Sequence, residues 1–228
     1  MIRSSAAFAI FLGLTVSELL TERSTAACLE TSNETGGNRW DFTLEIATYL
    51  AQHSRDYANP TLYADYDHLH VEARYNYEAL KTGSVWLGYN FEHVFEFKKN
   101  ELNLEAAPMI GGVFGDITGA APGYTITATY NAFEFETIGE YFFDAAKQTN
   151  DFFYSWSELS VKPLSWWRPD NTFKLGLVID RTKAFGSDFE VRRGPLVGFA
   201  YCGVDLTVYW LSPGSRQATF VFSVTHEF

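Results

Sequence analysis

No apolar run in this sequence is longer than the eleven residues Ala6 to Val16, "AAFAIFLGLTV", although 46% of the chain is hydrophobic. A helix needs about 20 consecutive apolar residues to cross a bilayer, so no stretch reads as a transmembrane helix. Basic residues are scarce as well. Seventeen Lys and Arg stand against 28 Asp and Glu, the net charge is -11, and the bases form no cluster. That argues against nucleic-acid binding, where Lys and Arg neutralising phosphates supply most of the affinity. Two cysteines, Cys28 and Cys202, make no disulfide framework.

Motifs of chemistry are missing too. There is no G-x-S-x-G nucleophile elbow and no Ser/His/acid spacing that supports a triad, so no catalytic residue is assigned. The glycines Gly111, Gly112 and Gly115 fall in or beside a strand, where a bulge or close packing accounts for them better than a phosphate loop. In "DYDHLH", His68 and His70 share a face near Asp65 and Asp67. Asp67 and His68 form a turn, however, and Asp is a common turn former in its own right, so no metal and no cofactor is expected.

Aromatic residues are abundant: 20 Phe, 13 Tyr and 6 Trp in a chain whose mean hydropathy is only -0.12. Large rings must therefore alternate with polar groups. The N-terminal exception, Ala6–Val16, follows Arg3 and has the length of a secretory h-region, and Thr25-Ala26-Ala27 offers the small residues of a cleavage site. Residues 1–27 read as a signal peptide and 28–38 as a short N-terminal segment. A lipoprotein signal at Cys28 would want Leu at position 25, where this chain has Thr. Cleavage removes Arg3, Arg23, Glu18 and Glu22, so the mature charge stays at -11.

From residue 39 onward the dominant period is two, which predicts strands throughout. In 40–50 Trp40, Phe42, Leu44, Ile46 and Leu50 oppose Asp41, Thr43, Glu45 and Tyr49. In 69–78 Leu69, Val71, Ala73, Tyr75 and Tyr77 oppose His70, Glu72, Arg74, Asn76 and Glu78. The second face of that segment carries several charges, which a dry sandwich core could not hold unpaired. About twelve such segments recur, each near the ten-residue length of a barrel strand. They lie near 40–50, 60–66, 69–78, 84–95, 101–114, 123–130, 133–143, 152–162, 172–181, 188–201, 204–211 and 218–228. The phases of 84–95, 101–114 and 152–162 stay open.

The joins alternate in length. Asp67-His68, Asn131-Ala132 and Cys202-Gly203 are tight, whereas 51–59, 115–122, 144–151, 182–187 and 212–217 are longer; 163–171, with Trp166 and Trp167, is the exception. Short turns on one side and longer loops on the other is the asymmetry of outer-membrane barrels. Trp40, Tyr66, Tyr130, Phe133, Tyr201 and Phe228 gather at the short-turn end, as in an aromatic interface girdle. The expectation is an all-β chain: an antiparallel, up-and-down transmembrane β-barrel over residues 39–228.

In these features the chain resembles the outer-membrane β-barrel proteins of Gram-negative bacteria. The residues that carry the likeness are the signal-like Ala6–Val16, the alternating segments and the last strand, with Phe220, Phe222, Val224 and a final Phe228. His226 departs from the apolar pattern of that strand. The resemblance implies residence in the cell outer membrane, contact with its lipid and recognition of the C-terminal strand by the barrel-assembly machinery. It identifies no particular family.

Twelve strands enclose a lumen between the side-chain-filled eight-stranded barrel and the open porin. By phase that lumen receives Glu45, Asp65, Glu72, Glu78, Glu134, Glu136, Glu140 and Asp205 against Arg74, Lys174 and Arg192. An acidic lining favours cations, so a narrow pore for small solutes is the first expectation. The alternatives are a closed structural or ligand-binding barrel, in which acids and bases pair across the lumen, and an outer-membrane lipid hydrolase. His70, beside Glu72, is expected to be a hydrogen-bonded wall residue. Oligomeric state is not readable.

Overall fold

The computed structural model describes residues 40–52, 55–97, 100–146, 150–162, 171–184 and 187–228. The signal peptide, the 28–38 segment and the Trp166-Trp167 pair lie outside the described residues. Thirteen strands follow in chain order: β1 (Asp41–Ala51), β2 (Tyr57–Tyr66), β3 (Leu69–Tyr75), β4 (Thr82–Tyr89), β5 (Phe91–Phe97), β6 (Asn100–Gly115) and β7 (Gly119–Tyr130). β8 (Phe133–Asp144), β9 (Phe152–Val161), β10 (Asn171–Ala184), β11 (Glu190–Tyr201), β12 (Val204–Leu211) and β13 (Thr219–Glu227) complete the set.

Apart from β4 and β5, each strand pairs antiparallel with its sequence neighbours, and β13 pairs with β1. β4 and β5 are the instructive case. Both pair with β6, from Thr82↔Gly115 to Gly88↔Met109 and from Phe91↔Ala106 to Phe97↔Asn100. They are two lengths of one wall strand interrupted at Asn90, so the wall has twelve strands. β13 pairs with β1 from Glu227↔Thr43 to Thr219↔Ala51, and the Phe228 N–H donates to the Phe42 carbonyl at 3.0 Å. This pairing closes the barrel, so that β1 and β13 present no open edge to be satisfied by water.

The alternation in sequence becomes inside and outside. On β13 Phe220, Phe222 and Val224 are exposed while Val221 and Ser223 are buried; on β10 Leu175 and Leu177 face out and Val178 and Asp180 face in. An apolar exterior around a polar and mixed interior is the inverse of a soluble protein and suits a lipid surround. No helix among the described residues is long and apolar enough to cross a membrane.

The turn asymmetry is present in the wall. Asp67, Asn131 and Cys202 each take the left-handed conformation, with φ of 54°, 54° and 52°, at the first position of a two-residue turn. This is the region that tight hairpin turns require. The connection 76–81 is longer than the sequence pattern predicts. Asn76, at φ 59°, ends the strand at Tyr75, and its side chain fastens the loop by donating to the Ala58 carbonyl and accepting from the Lys81 N–H. Tyr77, expected on the outer face, therefore turns inward and packs at 4.4 Å from the Arg74 guanidinium.

Of the girdle, Trp40 and Tyr66 pack at 5.2 Å, Phe228 stacks on Phe42 at 6.0 Å, and Tyr130, Phe133 and Tyr201 are exposed. A second belt stands at the loop end, where Tyr141 lies against Phe143 at 4.7 Å and Trp210 stacks on Phe220 at 5.6 Å. Outward aromatics thus stand at both ends of the apolar wall.

Candidate functional site

The inner wall carries a chain of charged side chains that begins near the 67–68 turn. The two ring nitrogens of His70 lie 2.7 Å from Asp65 Oδ1 and 2.7 Å from Glu72 Oε1. A carboxylate only accepts, so the doubly protonated imidazole satisfies both partners. Arg74 Nε donates to Glu72 Oε2 at 2.5 Å, and Arg74 Nη1 donates to Glu140 Oε2 at 3.0 Å. Glu72 is 0% exposed and Arg74 5%. Because β3 and β8 are not neighbours in the wall, the Arg74–Glu140 bond crosses the lumen along a chord.

The space behind that chord is filled. The Trp86 ring lies 4.4 Å from the Arg74 guanidinium, a cation–π contact, and its Nε1 donates to Glu78 Oε1 and Ser84 Oγ. Gly111 on β6 and Gly123 on β7 give the ring its room, since a methyl group at either would collide with it. Met109, Val113, Ala121 and Phe142 complete a buried apolar cluster there. Gly111 thus serves close packing, whereas Gly112 faces outward with nothing near.

A second cluster fills the loop end on the opposite side of the chord: Ala47, Tyr49, Trp156, Val178, Leu196, Tyr209, Leu211 and Val221. Tyr49 stacks on Tyr57 at 4.7 Å, and Trp156 meets Tyr209 edge-on at 5.1 Å. Tyr77 closes against Tyr154 at 5.5 Å. Its phenol, in the 76–81 connection, is pushed well above its ordinary range by burial.

Beneath this layer, toward the short turns, lies a cavity of about 400 Å³. Glu45, Glu72, Glu136, Glu158, Asp205 and Glu227 line it, and Lys174 is the single Lys or Arg among its described lining residues. Glu45 accepts from Tyr63 Oη at 3.0 Å and from Ser223 Oγ at 2.7 Å. Glu158 accepts from Trp156 Nε1 at 2.6 Å; Asp205 accepts from Thr207 Oγ1 at 2.7 Å and lies 3.5 Å from Lys174 Nζ. Glu136 stands directly opposite Glu158 across the β8–β9 ladder.

The remaining candidates sit apart from this cavity. Glu134 binds Lys162 Nζ at 2.6 Å near the short-turn rim. Arg192 pairs with the buried Asp180 near the loop end, through Nε at 2.8 Å and Nη2 at 2.5 Å. Glu78 lies past the end of β3 in the 76–81 connection, folded back onto Ser84 and Trp86. His68 belongs to its turn: Nδ1 lies 3.1 Å from the Asn90 carbonyl and the ring stacks on Tyr89 at 5.0 Å.

Sequence reasoning missed three inward residues. Glu158 and Trp86 fall in segments whose phase the pattern leaves open. Asp180 was within reach, because it shares parity with Lys174 on β10 and the outward Leu175, Leu177 and Ile179 fix that parity.

Closure, an apolar exterior, a charged interior and outward aromatics at both ends define a transmembrane β-barrel of the outer-membrane type. No protein-family model matches this sequence, and no curated protein matches it. Among solved structures the chain is similar to the KdgM porin, at 11% identity and a TM-score of 0.48, over 82% of this chain and 99% of that one. It is also similar to the Acinetobacter baumannii outer membrane protein Omp33, at 11% identity and 0.40, over 85% and 100%. A third is Pseudomonas aeruginosa OpdQ, at 11% identity and 0.41, over 86% and 59%. At such scores the class stands on the chain's own geometry.

Proposed function

We propose that this barrel is a narrow, cation-preferring channel for small solutes, with a vestibule on the short-turn side and a constriction at the aromatic layer on the loop side. The observation that carries this reading is the cavity of about 400 Å³, lined by six carboxylates against Lys174 and His70. Carboxylates in a confined lumen attract cations and repel anions, and low-dielectric walls strengthen the effect. The tyrosines in its lining, Tyr49, Tyr77, Tyr154 and Tyr209, present apolar faces with polar edges, which suits a constriction that small hydrated solutes pass.

Planar-bilayer recording across a KCl gradient tests the proposal. The expected outcome is conductance with a reversal potential of the sign that marks cation selectivity, moved toward zero in Glu136→Gln/Glu158→Gln. Refolded barrel without conductance above background overturns the channel and favours a closed binding barrel, the reading that the packed loop-end clusters support.

The same geometry supports a non-enzymatic reading. Both His70 nitrogens are engaged by carboxylates, so neither is left to accept a proton from a serine hydroxyl. Lipid hydrolysis by the refolded barrel that disappears in His70→Ala would reverse this.

A further inference from the structure

β5 differs from every other described strand: all seven of its residues, Phe91 to Phe97, are exposed on both faces. The cause is topological. β3 begins at Leu69, opposite Tyr89, so the wall strand continues past the β2–β3 turn with no neighbour on that side. Among the described residues β5 pairs with β6 alone. The Asn90 N–H donates to the His68 carbonyl at 2.7 Å, which fixes the backbone parity. In an antiparallel strand the N–H and C=O of one residue point the same way and alternate along the chain. Glu92, Val94 and Glu96 therefore aim three N–H and three C=O groups at the vacant side, while Phe91, His93, Phe95 and Phe97 bond to β6.

The side chains of this hairpin carry an unusual charge pattern. Glu92 stands directly opposite Glu105, and Glu96 directly opposite Glu101. Like charges so placed destabilise a ladder. The connection 98–99 supplies two lysines in sequence, which leaves the hairpin acidic. Beside the vacant edge, under the β2–β3 turn, is a cavity of about 340 Å³ lined by Asp41, Asp65, Asp67, Glu92 and Glu105, with His70 at its wall. His70 is already shared between Asp65 and Glu72, so the cavity as a whole remains acidic.

We propose that the free edge of β5 receives an extended segment, bearing Lys or Arg, from a partner protein on the short-turn side of the membrane. The segment adds as a strand in line with β3 and below its turn, taking the backbone groups of Glu92, Val94 and Glu96. A cationic side chain at an inward position enters the acidic cavity. Strand addition supplies main-chain hydrogen bonds and the cavity supplies specificity, as in other edge-recognition modes. The opposed carboxylates, costly in the free barrel, become favourable once a cation lies between them. A second copy of this chain fits poorly, because it would bring the same four carboxylates to the edge.

The test uses refolded barrel in micelles and a fluorescent peptide of alternating Lys and Val, with its N-methylated form and an alternating Glu and Val peptide as controls. Fluorescence anisotropy is expected to show saturable, salt-sensitive binding of the first peptide alone. Val94→Pro removes one edge N–H that bonds to nothing in the wall, and proline is tolerated on edge strands. It should weaken binding at least about tenfold, the loss expected of one strand hydrogen bond together with its register. Glu92→Gln/Glu105→Gln should weaken binding and flatten its salt dependence, and heat-modifiable gel migration should report intact barrels for both variants. Equal binding to Val94→Pro, or equal binding of the N-methylated peptide, means adsorption by charge alone and overturns strand addition. Absence of binding by wild type overturns the partner, and a cross-linked dimer that Val94→Pro abolishes assigns the edge to a second copy instead.

Discussion

The two ends of the lumen are made of opposite materials. Toward the short turns the inner wall is a set of carboxylates around open space, with hydroxyls, the Trp156 indole, His70, Arg74 and Lys174 as their partners. Toward the loops it is a core of Trp86, Phe142, Tyr49, Trp156, Leu211 and Val221, buried as in a soluble protein. One wall of alternating strands thus encloses two interiors. The difference teaches that facing into a barrel does not by itself mean facing water. Which it means depends on whether the inward residues at one level fill the cross-section. Trp86 over Gly111 and Gly123, with the rings of the second cluster, narrows it at the loop end; short Thr and Ser side chains leave it wider at the other.

Arg74 joins the two interiors, so its removal breaks the comparison most severely. In Arg74→Met the carboxylate of Glu140 stays buried without its cation, and Glu72 keeps only His70. Removing one partner of such a buried network costs about 3–5 kcal/mol. Urea unfolding of the refolded barrel should show that loss as a lowered midpoint. The triple variant Glu72→Gln/Arg74→Met/Glu140→Gln should recover much of it, because the orphaned charges go as well. A midpoint unchanged in Arg74→Met would mean that the chord across the lumen does not hold the barrel together.

Much of this architecture was legible in the sequence. Twelve period-two segments, the tight turns at 67–68, 131–132 and 202–203 and the outward aromatics all depend on backbone alternation, which is local. The inward set Glu45, Glu72, Arg74, Glu136 and Lys174 was legible for the same reason. What was not legible depends on who meets whom across the lumen. No local pattern announces that Arg74 reaches Glu140, 66 residues away, or that Trp86 lies over Gly111. The free edge of β5 was equally hidden. The sequence runs 84–95 as one unbroken segment, and only the register of β3 reveals that its second half has no neighbour on that side among the described residues.

A smaller effect sharpens the contrast by steric means. Gly111 and Gly112 are adjacent on β6, one under the Trp86 ring and the other facing outward with nothing within 4 Å. Gly111→Ala forces the ring out of its place in a packed core, at about 1–3 kcal/mol. Gly112→Ala meets no obstacle and leaves the unfolding midpoint near that of wild type. Equal effects at the two positions would show that the Trp86 side of the lumen is loosely filled.

The smallest effect belongs to the open end. Glu45 is held between Tyr63 and Ser223 on either side of the barrel seam, where β13 meets β1. Ser223→Ala removes one donor and leaves a carboxylate oxygen facing a cavity that water reaches, so the loss is that of a single hydrogen bond, about 0.5–1.5 kcal/mol. The same deletion in the packed half would strand a charge without solvent, as Arg74→Met does. The ratio of the two losses in one unfolding series therefore measures how differently the two ends of the lumen are hydrated. Near-equal losses would make the interior uniform, with the turn-side cavity as dry as the loop-side core.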